Sequence, residues 1–319
     1  MRVVAALGGN ALLERGEPLE AARQRRHVGQ AVEALVELAR HHELIVTHGN
    51  GPQVGVIAEE SAHDGRLSSP YPFDVLGAET QGMIGYFLLQ ALENALPGRS
   101  VASLVSQTVV RAEDPAFSQP TKFVGPIYSR AEAEGLARRT RWAMRPDGEG
   151  WRRVVASPEP LEIVELGVIQ SLLAAGVIPI CAGGGGVPVV RRDGRLEGAE
   201  AVVDKDLAAA LLARDLRADA LLLLTDVAAV MVGFGTPAAY PLGETSVSEL
   251  RALSLPTGSM GPKVEAVCRF VESGGRLAAI GRLSEAGELV EGRGGTILRA
   301  PEGAPRVARW VASGRGARP

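Results

Sequence analysis

The stretch ELIVTHGNGPQVGVIAEES, residues 43–61, contains one complete structural unit. Its first five residues are an apolar run that reads as a buried strand. HGNG lets the backbone turn sharply, and the residues from 51 to 61 read as a helix whose Pro52 suits a first helical turn. Strand, glycine turn and helix in that order form the repeating unit of a parallel sheet covered by helices.

The same alternation extends in both directions. RVVAAL (2–7) and a helix near 20–41 precede the stretch, and a long helix near 74–96 and the apolar VASLVSQTVV (101–110) follow it. The order continues with a helix near 161–175, VIPICA (177–182), a hairpin-like VPVVRRDGRLEG (187–198), a helix from about 204, ALLLLT (220–225), a helix near 260–274 and LAAIG (277–281). The expected class is α/β, an open three-layer αβα sandwich around a mainly parallel sheet. Residues 114–156 break the pattern with prolines, PTKFVGP (120–126), Trp142, Trp151 and many arginines. They are expected to be a subdomain inserted into a main body of residues 1–300, placed as a lid. No role is assigned to the tail, 301–319.

Composition narrows the function classes. The 319 residues are 46% hydrophobic and 22% charged with a net charge of −3, so there is no overall basic field for nucleic acid. The arginine-rich RRTRWAMR (138–145) reads as a solvated lid surface. Cys181 and Cys268 lie in no CxxC or Cys/His cluster and are expected to be buried thiols in a reducing cytoplasm. The five histidines show no metal-ligand spacing. MRVVAAL is interrupted by Gly8, Gly9 and Asn10 and reads as a strand rather than an export signal. Residues 166–190 carry no formal charge, but Gly176, Pro179 and Gly183 to Gly186 break any spanning helix, so no membrane partner is expected.

Of the 34 basic residues only three are lysines: Lys122 in PTKFVGP, Lys205 in VVDKDL and Lys263 in TGSMGPK. A general preference for arginine explains their scarcity but not their placement. An ammonium is a compact point charge that fits where a planar guanidinium does not, as beside a moving phosphoryl oxygen. LGGNAL (7–12), THGNGPQVG (47–55), CAGGGGVPVV (181–190) and the Thr225–Asp226 pair all lie at strand ends. Ligands of open α/β folds collect at that edge, and backbone N–H groups with a following helix N-terminus favour an anion there. No Walker loop, dinucleotide GxGxxG or GxSxG elbow is present, so phosphate would be held by another arrangement.

Taken in order, ALGGNAL, THGNGPQVG, FDVLGAETQGMIGY, PTKFVGP, GWRRVVASPEP, GGGGVPVV, GAEAVVDKDLAA, LLLLTDV and GSMGPK resemble the carbamate kinase family of the amino acid kinase superfamily, over about residues 3–298. The resemblance implies reversible, magnesium-dependent phosphoryl transfer between ATP and carbamate, giving ADP and carbamoyl phosphate, in a cytoplasmic homodimer. It implies that Lys205 and Lys263 contact the transferring phosphoryl and the nucleotide phosphates, that Asp206 holds the lysines, and that Lys122 arrives from the lid. Gly8, Gly9, Asn10, Gly49, Asn50 and Gly51 would line the carbamate site, and Thr225, Asp226, Met231 and Phe234 the nucleotide pocket. Magnesium would be held mainly by nucleotide phosphates, with no protein metal ligand. Many superfamily relatives have a lysine before the first glycine pair, where this chain has Ala6, and Lys205 supplies that charge from another strand end. Met231 and Phe234 stand where similar sequences often carry tyrosines, which bears on nucleotide preference. His48 is left out of the catalytic set, because the anionic oxygen of carbamate needs no base. Two alternatives stay open: another small-molecule kinase of the superfamily, and a non-catalytic nucleotide sensor.

Overall fold

The structure is a computed structural model that describes residues 1–9, 12, 13, 17–253 and 260–300. Asn10, the turn before Met260 and the tail from residue 301 therefore lie outside the described residues. The main sheet has eight strands, in the order Glu244–Thr245, Thr296–Arg299, Leu277–Arg282, Ala220–Thr225, Arg2–Leu7, Glu43–His48, Ile178–Ile180, Val101–Ser103. Every pair in it is parallel except Leu277–Arg282 with Thr296–Arg299.

The central strands are continuous apolar runs because both of their faces are covered. Val3, Ala5, Leu7, Leu222 and Leu224 face one core, packed under the helices Ala21–His41 and Phe73–Ala95. Val4, Ala6, Leu221 and Leu223 face the other, under Lys205–Asp215 and Met260–Glu272. Alternation along a strand thus produces the three layers. Helix Ala21–His41 buries Val28, Ala31, Val32, Leu35, Leu38 and Ala39, a stripe at helical spacing.

Three expectations are corrected. VASLVSQTVV is not one strand: Val101–Ser103 closes the edge of the main sheet, whereas Gln107–Val109 pairs with Val187–Arg192 in a second, four-stranded sheet. The break comes at Ser106, whose backbone N–H donates to Gln81 Oε1 at 2.9 Å and whose carbonyl accepts from Gln81 Nε2 at 3.1 Å. The helix expected near 161–175 runs only over Leu166–Ala174, because Glu162–Ile163 joins the second sheet. Among the described residues no α-helix follows the first glycine pair directly, and the first one starts at Ala21. The hairpin is as read, Val187–Arg192 with Arg195–Gly198, turning at Asp193 and Gly194, both at positive φ.

Residues 122–155 form a separate antiparallel sheet of Lys122–Tyr128, Gly150–Val155 and Ala143–Asp147, with the helix Arg130–Thr140. Residues 114–121 contribute only the short turn Pro115–Phe117. Val124 and Val155 of this unit share a small core with Val54, Ala58, Phe73, Leu76 and Val202 of the body. The backbones meet where helix Gly51–His63 crosses strand Lys122–Tyr128: a Cβ on Gly55 would lie 2.1 Å from Gly125 Cα. Arg153 is held between the rings of Phe73, at 4.5 Å, and Trp142, at 3.9 Å, and is ion-paired with Glu200. Among the described residues no helix is long and apolar enough to cross a membrane.

Candidate active site

Parallel pairing sets the strand ends side by side. Leu7 lies opposite both His48 and Leu224. Beyond that row the two glycine turns touch: Gly49 N–H donates to Leu7 O at 2.9 Å, Gly8 N–H donates to Leu224 O at 2.7 Å, and a Cβ on Gly49 would lie 2.9 Å from Gly9 N. Gly8, Gly9, Gly49, Asn50 and Gly51 therefore share one edge.

The four-glycine loop is the wedge behind them. Cβ atoms on Gly183, Gly184, Gly185 and Gly186 would meet, in turn, His48 Nε2 at 2.4 Å, Asn50 Nδ2 at 2.3 Å, Val203 O at 2.5 Å and Thr108 Oγ1 at 2.1 Å. Gly184 also has φ +64°, so both space and backbone conformation demand glycine there. The preceding Ala182 is left-handed as well, at φ 50°, with its carbonyl accepting from Thr47 Oγ1 at 2.9 Å and its N–H donating to Ser106 Oγ at 3.0 Å. Asn50 is oriented by its amide, which donates to Thr80 Oγ1 at 2.8 Å. Thr80 and Gln81 were not singled out from the sequence. The signal was available, as the polar run Glu79, Thr80 and Gln81 between the apolar stretches of helix Phe73–Ala95.

Val203 leads into helix Lys205–Asp215. Asp204 caps it, with Oδ1 accepting from the N–H groups of Asp206 at 2.9 Å and Leu207 at 3.3 Å. All three lysines meet at this helix start. Lys205 Nζ lies 2.6 Å from Asp206 Oδ1, Lys263 Nζ, from the first turn of helix Met260–Glu272, lies 3.1 Å from Asp206 Oδ2, and Lys122 Nζ binds Asp204 Oδ2. Contacts that span 82 and 57 residues of sequence thus deliver the chain's only three lysines to two neighbouring carboxylates.

The electrostatics follow from burial. Burial lowers the pKa of Lys205, Asp206 and Asp204 oppose this by stabilising its charge, and Lys263 adds to the lowering. Burial alone would raise the Asp206 carboxyl, but Lys205 and Lys263, helped by Lys122, outweigh it and hold the group far below the usual carboxylate range. His48 is buried and pushed down to about 4 by desolvation, against its hydrogen bond to Gly49 O and with the Lys205 charge adding to the lowering. It is a neutral structural imidazole, donating from Nδ1 to Gly49 O at 3.1 Å. Cys181 and Cys268 are buried free thiols, both pushed up by desolvation.

The nucleotide candidates are not all gathered in one cavity. Thr225 ends its strand, donating to Asp226 Oδ1 at 2.9 Å, and both line a groove of about 880 Å³ together with Arg282 and Glu285. Met231 lies on a short strand paired with Tyr240–Pro241, and Phe234, 69% exposed, lies beyond it; neither lines that groove. Among the described residues no group of three or more His, Cys, Asp or Glu is arranged to hold a metal ion, and Asp204 and Asp206 are both committed to lysines.

Residues 1–281 match the amino acid kinase family. The carbamate kinase of Rhizobium meliloti is 51% identical over 303 residues, covering 93% of each chain, and that of Haemophilus influenzae is 46% identical over 306 residues, covering 95% of this chain and 98% of its own. The solved carbamate kinase from Giardia lamblia bound to AMP-PNP superposes with a TM-score of 0.85 at 39% identity, over 93% of this chain and 98% of that one. The chain belongs to the amino acid kinase family, as a phosphotransferase of its carbamate kinase branch.

Proposed function

We propose that the protein transfers phosphoryl reversibly between ATP and carbamate, giving ADP and carbamoyl phosphate. The observation that carries this reading is the meeting of Lys122, Lys205 and Lys263 at one helix start beside the glycine turns. Phosphoryl transfer requires aligned attacking and leaving oxygens and positive charge around the equatorial ones. Three ammonium groups against the two carboxylates of Asp204 and Asp206 leave one net positive charge for that purpose.

In the direction of ATP synthesis, the bond between phosphorus and the carbamate oxygen breaks as one forms to a β-phosphate oxygen of ADP. Lys205 and Lys263 neutralise the transferring group while Asp206 fixes both, and Lys122 completes the cage from the lid. The Gly8–Gly9 and Gly49–Gly51 turns, with Asn50 held by Thr80, line the carbamate side. Asn10 belongs to this set by resemblance. Thr225 and Asp226, with Met231 and Phe234 by resemblance, serve the nucleotide. Magnesium comes with the nucleotide as part of the substrate, on phosphate oxygens, because the site's carboxylates are occupied by lysines. Residues 1–300 act as one body with the inserted unit as lid, in a cytoplasmic homodimer.

Carbamoyl phosphate and MgADP supplied to the purified protein should yield ATP. No ATP together with activity on another acceptor would favour a different small-molecule kinase of the family. Tight nucleotide binding without any turnover would favour a sensor.

A further inference from the structure

The carboxylate of Asp204 is shared between two structural units. Oδ1 accepts the backbone N–H groups of Asp206 and Leu207 and so starts the helix that carries Lys205. Oδ2 takes the ammonium of Lys122, which comes from the lid strand Lys122–Tyr128. The Asp204 side chain is 7% exposed and that of Lys122 33%, so the pair lies where lid meets body, within reach of solvent and of an arriving ligand. Other contacts of the inserted unit with the body, among them the shared core of Val124 and Val155, Gly55 against Gly125, Arg153 with Phe73 and Glu200, and Arg139 with His63, involve no group of the lysine cluster. Lys122 is thus the lid's ionic link to the site.

We propose that Asp204 is a positioning residue that holds Lys122 in place before substrate binds and releases it to the incoming phosphoryl group. The release half of this idea rests on the phosphoryl-transfer reading above, whereas the holding half rests on the contact alone. The exchange is chemically feasible because Oδ1 keeps its two N–H partners and the positive end of the helix when Lys122 leaves Oδ2. No buried carboxylate is left unpaired. Phosphoryl oxygens carry more negative charge than one carboxylate oxygen, so the ammonium transfers to them on binding.

Asp204→Asn separates the two roles, since asparagine caps a helix as well as aspartate but carries no charge. Hydrogen exchange of the substrate-free protein should become about five- to tenfold faster across residues 122–155 and remain unchanged across 205–215. The KM for carbamoyl phosphate should rise by a similar factor while kcat changes far less, because bound substrate restores the partner of Lys122. Asp204→Ser, which also caps, should behave alike. Wild-type lid exchange in both variants, or acceleration confined to 205–215, overturns the proposal and leaves Asp204 as a cap alone. The exchange measurement uses no substrate, so a chain that makes no ATP from carbamoyl phosphate could still have the latch. Normal turnover with an unaffected lid would refute only the latch.

Discussion

Two side chains at the site carry predictions about charge and shape. Lys205, its side chain only 11% exposed, pairs with one oxygen of Asp206 while Lys263 takes the other, so its nitrogen shares a single carboxylate with a second ammonium. A guanidinium keeps the charge but not the shape, so Lys205→Arg should lose about 10²-fold or more in turnover, about 3 kcal/mol of barrier, in the ATP-forming assay. Near-normal turnover would remove the geometric argument. His48 gives a pH signature instead. Its imidazole titrates at about 4 in the fold against 6.5 unfolded, so between these values only the unfolded chain binds the proton. Stability at this residue is therefore complete above pH 6.5 and is lost as pH falls toward 4, by up to about 3 kcal/mol. Denaturant unfolding from pH 7 to pH 4 should fall less steeply in His48→Gln than in the wild type. Equal slopes would mean that the imidazole is not shielded as described.

Among the elements, the crossing of helix Gly51–His63 over strand Lys122–Tyr128 makes the most demanding contact. Alanine at Gly55 would place its Cβ 2.1 Å from Gly125 Cα, so the strand bearing Lys122 must move by about an ångström or more to restore ordinary contact. Misplacement of that size can cost about 10²-fold in rate. Helix propensity acts in the opposite direction, favouring alanine over glycine by about 1 kcal/mol. The clash is against backbone and costs about 1–3 kcal/mol, more than propensity returns, so Gly55→Ala should lower Tm by a few degrees and turnover about 10²-fold, a loss in rate far larger than the fraction of unfolded chain at the assay temperature. Wild-type turnover would mean that lid docking at this crossing does not govern the reaction. The elements themselves were largely legible where pattern and length agreed, as in Ala21–His41, Phe73–Ala95 and Ala220–Thr225. VASLVSQTVV was misread because its break depends on Gln81, a residue distant in sequence that binds both backbone groups of Ser106. Glu162 and Ile163 were misread because a two-residue strand owes its existence to its partner rather than to its own pattern.

For the molecule as a whole, the main sheet ends on the short strand Val101–Ser103, with Val105 just beyond it and Val168 on helix Leu166–Ala174, both about half exposed. An edge strand leaves one row of backbone groups unpaired by its sheet, which proteins usually cover, and a second copy would cover it in the proposed homodimer. Light scattering should return a mass near twice the 33.4 kDa of one chain, and Val105→Glu should shift it toward the single-chain value. A single-chain mass for the wild type would rule the dimer out.

Hydrophobic alternation and glycine turns at strand ends were enough to read a parallel α/β fold, and three lysines in an arginine-rich chain were enough to propose a phosphate-handling edge. Those signals are local, and burial on both faces of a strand leaves its mark on the strand's own residues. What could be decided only in three dimensions was which partner each charge takes. Asp206 receives two lysines, and Asp204 caps a helix while pairing with Lys122 of the inserted sheet, an arrangement set by packing among segments far apart in the chain. The same holds for Gly55, which looks like an ordinary helix glycine until Gly125 is brought against it. Long-range contacts of this kind depend on how separate elements pack, and no periodicity within a single segment encodes them.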